Sequence, residues 1–534
     1  MGTLMPLRGI ARAAAAMLLL FAAACQTVSL DSARDHKPGN GIVAFKFVTN
    51  SYLTVIFQDH WTWATIADEA GKSFTFTAVT EGMTRSALYV GSVPPGRYHF
   101  TGFEGKLAFA SAKPNERLGN FLVEAGRVTF LGTLIEHANQ DRFVLPGVNS
   151  RTYLLYDPKP SPDGLTAVLN ILFPGLQGVD LDPVTFIGWD RRRAPVALNL
   201  GAFDFVRRSS RGLIDPVELA DGSIAFGSVL GQLRLWHPDR GWRNLDVGLN
   251  RGIEAFAELP SGAWLVGGEM GMLRRSFDHG ASWHDVKSDL PYGVVHDLNV
   301  LDGGTVYLTH YRGTEFALYR AAGDLGHWER VQSATFEPAG RTWGSAVQGL
   351  TTRVHGGHLY TTLPHSRLAV FDPATRRSTL HDMPGPLMSP LRIAPDGVMR
   401  GTFAVFVAHN PYLSRDGGGS WHGANITRYA HMPGFRDKSF GMAIGVPSLT
   451  QRRSSVLVTR DGGTTWSEAA AAPHVGLRWI GFSNRAGVAF ATDDISRLYY
   501  SRDEGRTWTE DSVPPPGAPA PKPASQSAAL FPRR

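Results

Sequence analysis

The stretch Val458–Trp466, VTRDGGTTW, returns forty-two residues later as Tyr500–Trp508, YSRDEGRTW. The pattern behind both, Ser/Thr-x-Asp-x-Gly-x-Ser/Thr-Trp, has four full matches in the 534 residues. They are Ser276–Trp283 (SFDHGASW), Ser414–Trp421 (SRDGGGSW), Thr459–Trp466 (TRDGGTTW) and Ser501–Trp508 (SRDEGRTW). Each keeps an acidic residue (Asp278, Asp416, Asp461, Asp503) and, two places on, a glycine (Gly280, Gly418, Gly463, Gly505). The tryptophans are separated by 138, 45 and 42 residues, and 138 is three times 46, so the long gap should hide two worn copies. One is YRAAGDLGHW, ending at Trp328; the other is LAVFDPATRR (Leu368–Arg377), which keeps Asp372 and has lost its Trp. Backwards, LRLWHPDRGW ends at Trp242. The ladder 242, 283, 328, about 375, 421, 466 and 508 makes seven units of about 44 residues, a period that predicts a β-propeller with one four-stranded blade per unit. Six blades is the alternative count.

The interior of a unit explains the box. AFAELPSGAWLVGGEMGMLRRSFDHGASWHDV (Ala255–Val286) reads strand, PSG turn, strand, GEMG turn, strand, box, strand. The box is therefore the turn between the third and fourth strands. A tight turn needs a short side-chain acceptor for its backbone N–H groups, which Asp supplies, and a residue tolerant of positive φ, which is the Gly. The hydroxyl residue adds a bond and the Trp tucks its apolar face between sheets. Equivalent positions of successive blades lie around a perimeter, so the four carboxylates cannot converge on one substrate. A calcium site needs 6–8 oxygens, more than one such turn offers. The boxes read as structural.

The box is similar to the Asp-box, or bacterial neuraminidase repeat, of sialidases, sortilin-type receptors and photosystem II assembly and stability factors. GGEMGMLRRSFDHGASW (Gly267–Trp283) most resembles the last group. The resemblance covers roughly residues 200–512 and implies the propeller fold, which by itself carries no function. Two functions follow as expectations: a non-catalytic module that binds a protein or glycan partner, and, as the alternative, a sialidase-type glycoside hydrolase. The second resemblance implies an Arg triad, a Tyr/Glu nucleophile pair and an Asp acid/base. The Arg-Ile-Pro signature expected ahead of the first blade is absent, and the one Tyr/Glu pair, Tyr311 and Glu315 in HYRGTEF, lies mid-blade near a turn. No catalytic residue is assigned.

Binding propellers use the connections between one blade's last strand and the next blade's first. The longest here is HGANITRYAHMPGFRDKSF (His422–Phe440), with Arg428, Tyr429, His431, Phe435, Arg436 and Lys438 offering the aromatics and cations of contact surfaces. Arg353, Arg392 and Arg478 stand at or beside predicted first strands and could form a basic mouth for an acidic partner; pairing within each blade is the competing reading.

Ahead of the propeller the texture differs. MGTLMPLRGIARAAAAMLLLFAAAC has Arg8 and Arg12, then an apolar run from Ala13 to Ala23, too short to span a bilayer, and small residues before Cys25: an export signal over 1–24. AAAC (Ala22–Cys25) resembles the bacterial lipoprotein cleavage box, with Ala22 where Leu is usual, which implies lipidation of Cys25 and a membrane anchor. Cys25 is the single cysteine, so no intrachain disulfide forms. Gln26, rather than Asp, follows it and resembles an outer-membrane address. Residues 25–40 read as a tether, and 41–150, with alternating runs such as Ala44-Phe45-Lys46-Phe47, as a small antiparallel β-sandwich. VPPGRYHF (Val93–Phe100) and FLVEAGRVTFLG (Phe121–Gly132) resemble sandwich domains of small bacterial lipoproteins. Residues 151–200 form a connector that holds a possible short helix ahead of Pro174; 201–512 is the propeller, and 513–534 a Pro/Ala-rich tail expected to be disordered.

The remaining bounds are negative. Net charge is +6, and removing Arg8 and Arg12 leaves +4, with no Lys/Arg cluster interleaved with aromatics, so nucleic acid is not an expected partner. The basic run WDRRRAP (Trp189–Pro195) reads as a solvated loop, and HGGH (His355–His358) as a hairpin rather than a metal pair. No phosphate loop, metal or cofactor is implied.

Overall fold

The structure is a computed structural model. It describes residues 37–49, 62–80, 84, 86–104, 111–112, 118–139, 151–156, 165–173, 176, 204, 207–208, 215–335, 350–363, 366–387, 391–394, 396–405, 408–424, 426, 433–445, 454–474, 477, 479–492 and 497–512. The expected signal segment, Cys25, the expected tail and most of the expected connector lie outside these.

The N-terminal unit has nine strands: β1 (Gly41–Thr49), β2 (Trp63–Asp68), β3 (Ser73–Thr77), β4 (Ser86–Val93), β5 (Gly96–Glu104), β6 (Ser111–Ala112), β7 (Asn120–Val123), β8 (Val128–Asn139) and β9 (Arg151–Tyr156). They form two facing sheets, β4-β1-β8-β9 and β3-β2-β5-β6, with β7 also on β5. The period-two runs put Phe45, Phe47, Ile66, Phe76, Tyr89, Phe100 and Phe103 into one core between the sheets. Phe45 stacks on Tyr89 at 4.7 Å. Gly91 is required here, since a Cβ would lie 1.9 Å from the Phe76 ring. The expected all-antiparallel pairing fails at one place. β1 runs parallel to β8, because the chain between them crosses through the other sheet before returning.

Beyond residue 215 the described residues hold seven four-stranded sheets, each an antiparallel meander in strand order. They span 217–246, 253–285, 294–335, 352–382, 392–423, 434–471 and 479–510. The second strand of the second sheet, Trp264–Gly268, is buried throughout, whereas a fourth strand such as Arg377–Asp382 is mostly exposed. This gradient is what stacking sheets around an axis requires. The ring closes between first and seventh sheets, where Ile224 and Trp236 pack on Val488, Phe490 and Leu498. Asp511 reinforces the seam by accepting Trp236 Nε1 through its carboxylate and Trp242 Nε1 through its carbonyl, both at 2.8 Å.

A meander sends its first-to-second and third-to-fourth turns to one face, the box face. The second-to-third turns and the links between sheets go to the other, the connection face. The sandwich docks on the connection face at the second sheet. Helix α1 (Leu165–Leu172) places Val168 and Leu169 against Ile42, Ala44, Leu88 and Val90, with Met270 and Tyr292 of the propeller at the margin. Beside this contact, Lys46 Nζ meets Glu269 Oε2 at 3.1 Å, the side chains 7% and 1% exposed. Glu269 also accepts from Ser86 Oγ at 2.9 Å, Gly252 N at 3.0 Å and Thr84 N at 3.1 Å. An ion pair this deep is tolerable because the spare carboxylate lone pairs are occupied.

Candidate functional site

The four boxes share one geometry. In the first, Ser276 Oγ donates to Asp278 Oδ1 (2.8 Å) and accepts from Gly280 N (2.7 Å), while Ser282 donates through N and Oγ to the two carboxylate oxygens at 2.8 and 2.6 Å. Ser414, Asp416, Gly418 and Ser420 repeat the arrangement. So do Thr459, Asp461, Gly463 and Thr465, and Ser501, Asp503, Gly505 and Thr507. The opening hydroxyl residue is buried in all four. The glycines take φ of +84°, +96°, +90° and +83°, and the residue before each is left-handed too, including His279 and Glu504. The indoles of Trp466 and Trp508 donate to the carbonyls of Gly463 and Gly505 at 3.1 and 3.0 Å. Worn copies keep fragments of this: Trp328 Nε1 donates to Leu325 O (2.7 Å), and Asp372 accepts from Ala374 N and Thr375 Oγ1 at 2.9 and 2.7 Å. Hydrogen bonds from the neighbouring hydroxyl residues hold the carboxyls of Asp278, Asp461 and Asp503 down at about 2, and that of Asp416 lower still. A carboxyl so committed is a poor proton donor at neutral pH.

The channel end is where predicted residues meet. Arg353, on the first strand of the fourth sheet, and Arg392, on the first strand of the fifth, both grip Asp215, which precedes the first sheet on the far side of the ring. Arg392 Nη2 lies 3.0 Å from Asp215 Oδ1. Asp297, on the first strand of the third sheet, stands 3.6 Å from Arg353 Nη1 and accepts Thr352 N at 2.8 Å. All four charged side chains are 15–22% exposed. The two arginines hold the Asp215 carboxyl below its usual range against the opposing effect of burial, whereas burial pushes Asp297 up. Both arginines therefore pair across sheets, an arrangement neither sequence reading anticipated. Asp215 and Asp297 were not singled out in the sequence because nothing local marks them.

The stretch His422–Phe440 is divided by the structure. Gly434–Phe435 is the first strand of the sixth sheet, paired with Gly441–Met442. Arg436 therefore sits in the following turn, on the box face, bound to Asp437 (3.0 Å) and to Glu504 of the neighbouring box (3.2 Å). Arg428, Tyr429, His431 and Arg478 lie outside the described residues. Tyr311 is buried in the third sheet, with burial pushing its hydroxyl well up, while Glu315 is exposed across the hairpin. Among the described residues no group of three or more His, Cys, Asp or Glu is placed to hold a metal ion.

No protein-family model matches the chain, and no curated protein does. Solved structures do. YCF48 bound to D1 peptide is 16% identical, covering 55% of this chain and 93% of that one, with a TM-score of 0.42. The WD40 β-propeller domain of Doa1 is 14% identical over 56% of this chain and 95% of its own, at 0.39. The GH74 enzyme of Niastella koreensis is 11% identical at 0.43; this chain spans 54% of its length.

Proposed function

We propose that the chain is an exported, lipid-anchored binding or assembly module. Cys25 carries the lipid, Gln26 directs it to the outer membrane, and a seven-bladed Asp-box propeller presents a protein or glycan ligand site. The observation that carries this reading is the pairing at the channel end. Asp215 and Asp297 already occupy Arg353 and Arg392, so these arginines brace the ring instead of gripping a substrate carboxylate. Ligand recognition then falls to the links between sheets on the connection face, with Arg428, Tyr429, His431 and Arg478 as contact residues. Arg436, tied to Asp437 and Glu504 on the box face, serves rim cohesion.

The test uses residues 26–534 as bait against detergent-solubilised cell envelope and a glycan panel, beside the same form carrying Arg428→Ala, Tyr429→Ala and His431→Ala. Capture should drop at least tenfold, about 1.4 kcal/mol. Unchanged capture refutes the loop assignment, and turnover of a fluorogenic sialoside refutes the non-catalytic reading. Cys25→Ala in the full chain should move the protein from the membrane to the soluble fraction.

A further inference from the structure

Arg234 lies on the third strand of the first sheet, Gln232–His237. The two-residue period puts its side chain on the same face as Trp236, which packs against Phe490 and Tyr500 of the seventh sheet. Arg234 is 4% exposed, with its guanidinium carbon 4.1 Å from the Trp242 ring centre. Its Nε and Nη2 have no hydrogen-bond partner. Asp246, on the fourth strand of the same sheet, is committed to Arg207 at 2.6 Å, and Asp204 to Arg208. Burial pulls Arg234 down to about 9, and the second positive charge of Arg208 adds to the effect. Arg400, equally buried, differs by donating to the carbonyls of Val398 and Gly462.

A buried cation is costly unless it is paired, and stacking on one indole offsets only part of that cost. The two vacant nitrogens are the parallel edge of the guanidinium, the edge that grips an oxyanion bidentately. We propose that Arg234 is the core of a small-oxyanion site at the seam between first and seventh sheets, taking one phosphate or carboxylate group on Nε and Nη2 with Arg208 as second cation. A bound anion would strengthen ring closure.

The full chain is titrated with inorganic phosphate and separately with acetate, at ionic strength held constant with sodium chloride, by calorimetry and by thermal unfolding. Saturable binding by one or both, with a rising unfolding midpoint, is expected, and the relative affinities say which oxyanion the site favours. Arg208→Ala should weaken binding about tenfold, and Arg234→Met should abolish it. The proposal is overturned if neither anion binds saturably to the native chain, or if Arg208→Ala binds with the native constant. Those two measurements decide the matter even if Arg234→Met does not fold.

Discussion

Replacing Lys46 by Met tests whether sandwich and propeller behave as one body. Lys46 Nζ is 3.1 Å from Glu269 Oε2, and both side chains are almost wholly buried. At that distance and an effective dielectric of about 20 the gross attraction is about 5 kcal/mol. Desolvation has already been spent on both groups, so removing one partner exposes nearly all of the other's penalty, and broken buried pairs cost about 3–5 kcal/mol. The substitution also removes the donor to Asn250 O. The remaining donors to Glu269, from Thr84, Ser86 and Gly252, are neutral and cannot replace a charge. Lys46→Met should therefore cost about 3–4 kcal/mol. Adding Glu269→Gln should recover part of that, because the amide keeps an acceptor for Ser86 or Gly252 without a stranded charge. The assay is chemical denaturation with calorimetry alongside. The native chain should unfold with sandwich and propeller coupled, whereas Lys46→Met should split the transition in two. A loss under 1 kcal/mol with a single transition would refute the reasoning, since it would mean that water reaches Glu269 or that the apolar contact through α1 alone holds the docking.

Three further outcomes follow from the same geometry. Ser414→Ala removes the buried acceptor of Gly418 N, which should cost about 1–3 kcal/mol in denaturant unfolding, while Ser414→Thr, the residue used at Thr459, should cost much less. Burial pulls His310 from 6.5 to about 4, with its Nε2 bonded to Pro291 O. The unfolded chain takes up the proton first, so stability should fall as pH drops from about 6.5 to 4, by at most about 3 kcal/mol; His310→Gln should flatten this window of the stability–pH curve. Asp215→Ala strands two partly buried arginines and should cost about 3 kcal/mol, with the loss partly restored by millimolar citrate or phosphate in thermal unfolding.

The propeller was legible because each box is a local device. Its hydroxyl, Asp and Gly bond within four residues of one another, so spacing alone revealed the units, and even the worn copy at Asp372 kept its turn bonds. The channel was legible only by half. Arg353 and Arg392 stood out as cations near first strands, but their partner Asp215 is 138 and 177 residues away and meets them only once the ring has closed. Lys46 and Glu269, 223 residues apart, depend in addition on how the sandwich docks. Arg436 was misplaced for a smaller reason: a two-residue strand, Gly434–Phe435, carries too little periodic signal to divide a loop.

The position of that docking bears on where a ligand can approach. The sandwich reaches the propeller through Asn250, Glu254 and Glu269, around the second sheet. The candidate link lies between the fifth and sixth sheets, which in a ring of seven is the side opposite the second. The described strands that bracket that link, His422–Gly423 and Gly434–Phe435, therefore stand across the ring from the sandwich's contacts. If the sandwich served only to hold the propeller at a fixed pose, loosening it should leave ligand affinity intact. Lys46→Met would then capture as much partner as the native chain at temperatures where the propeller stays folded. If capture fell in step with the separation of the two transitions, the ligand would have to touch the sandwich as well, and the recognition surface would extend across the channel mouth.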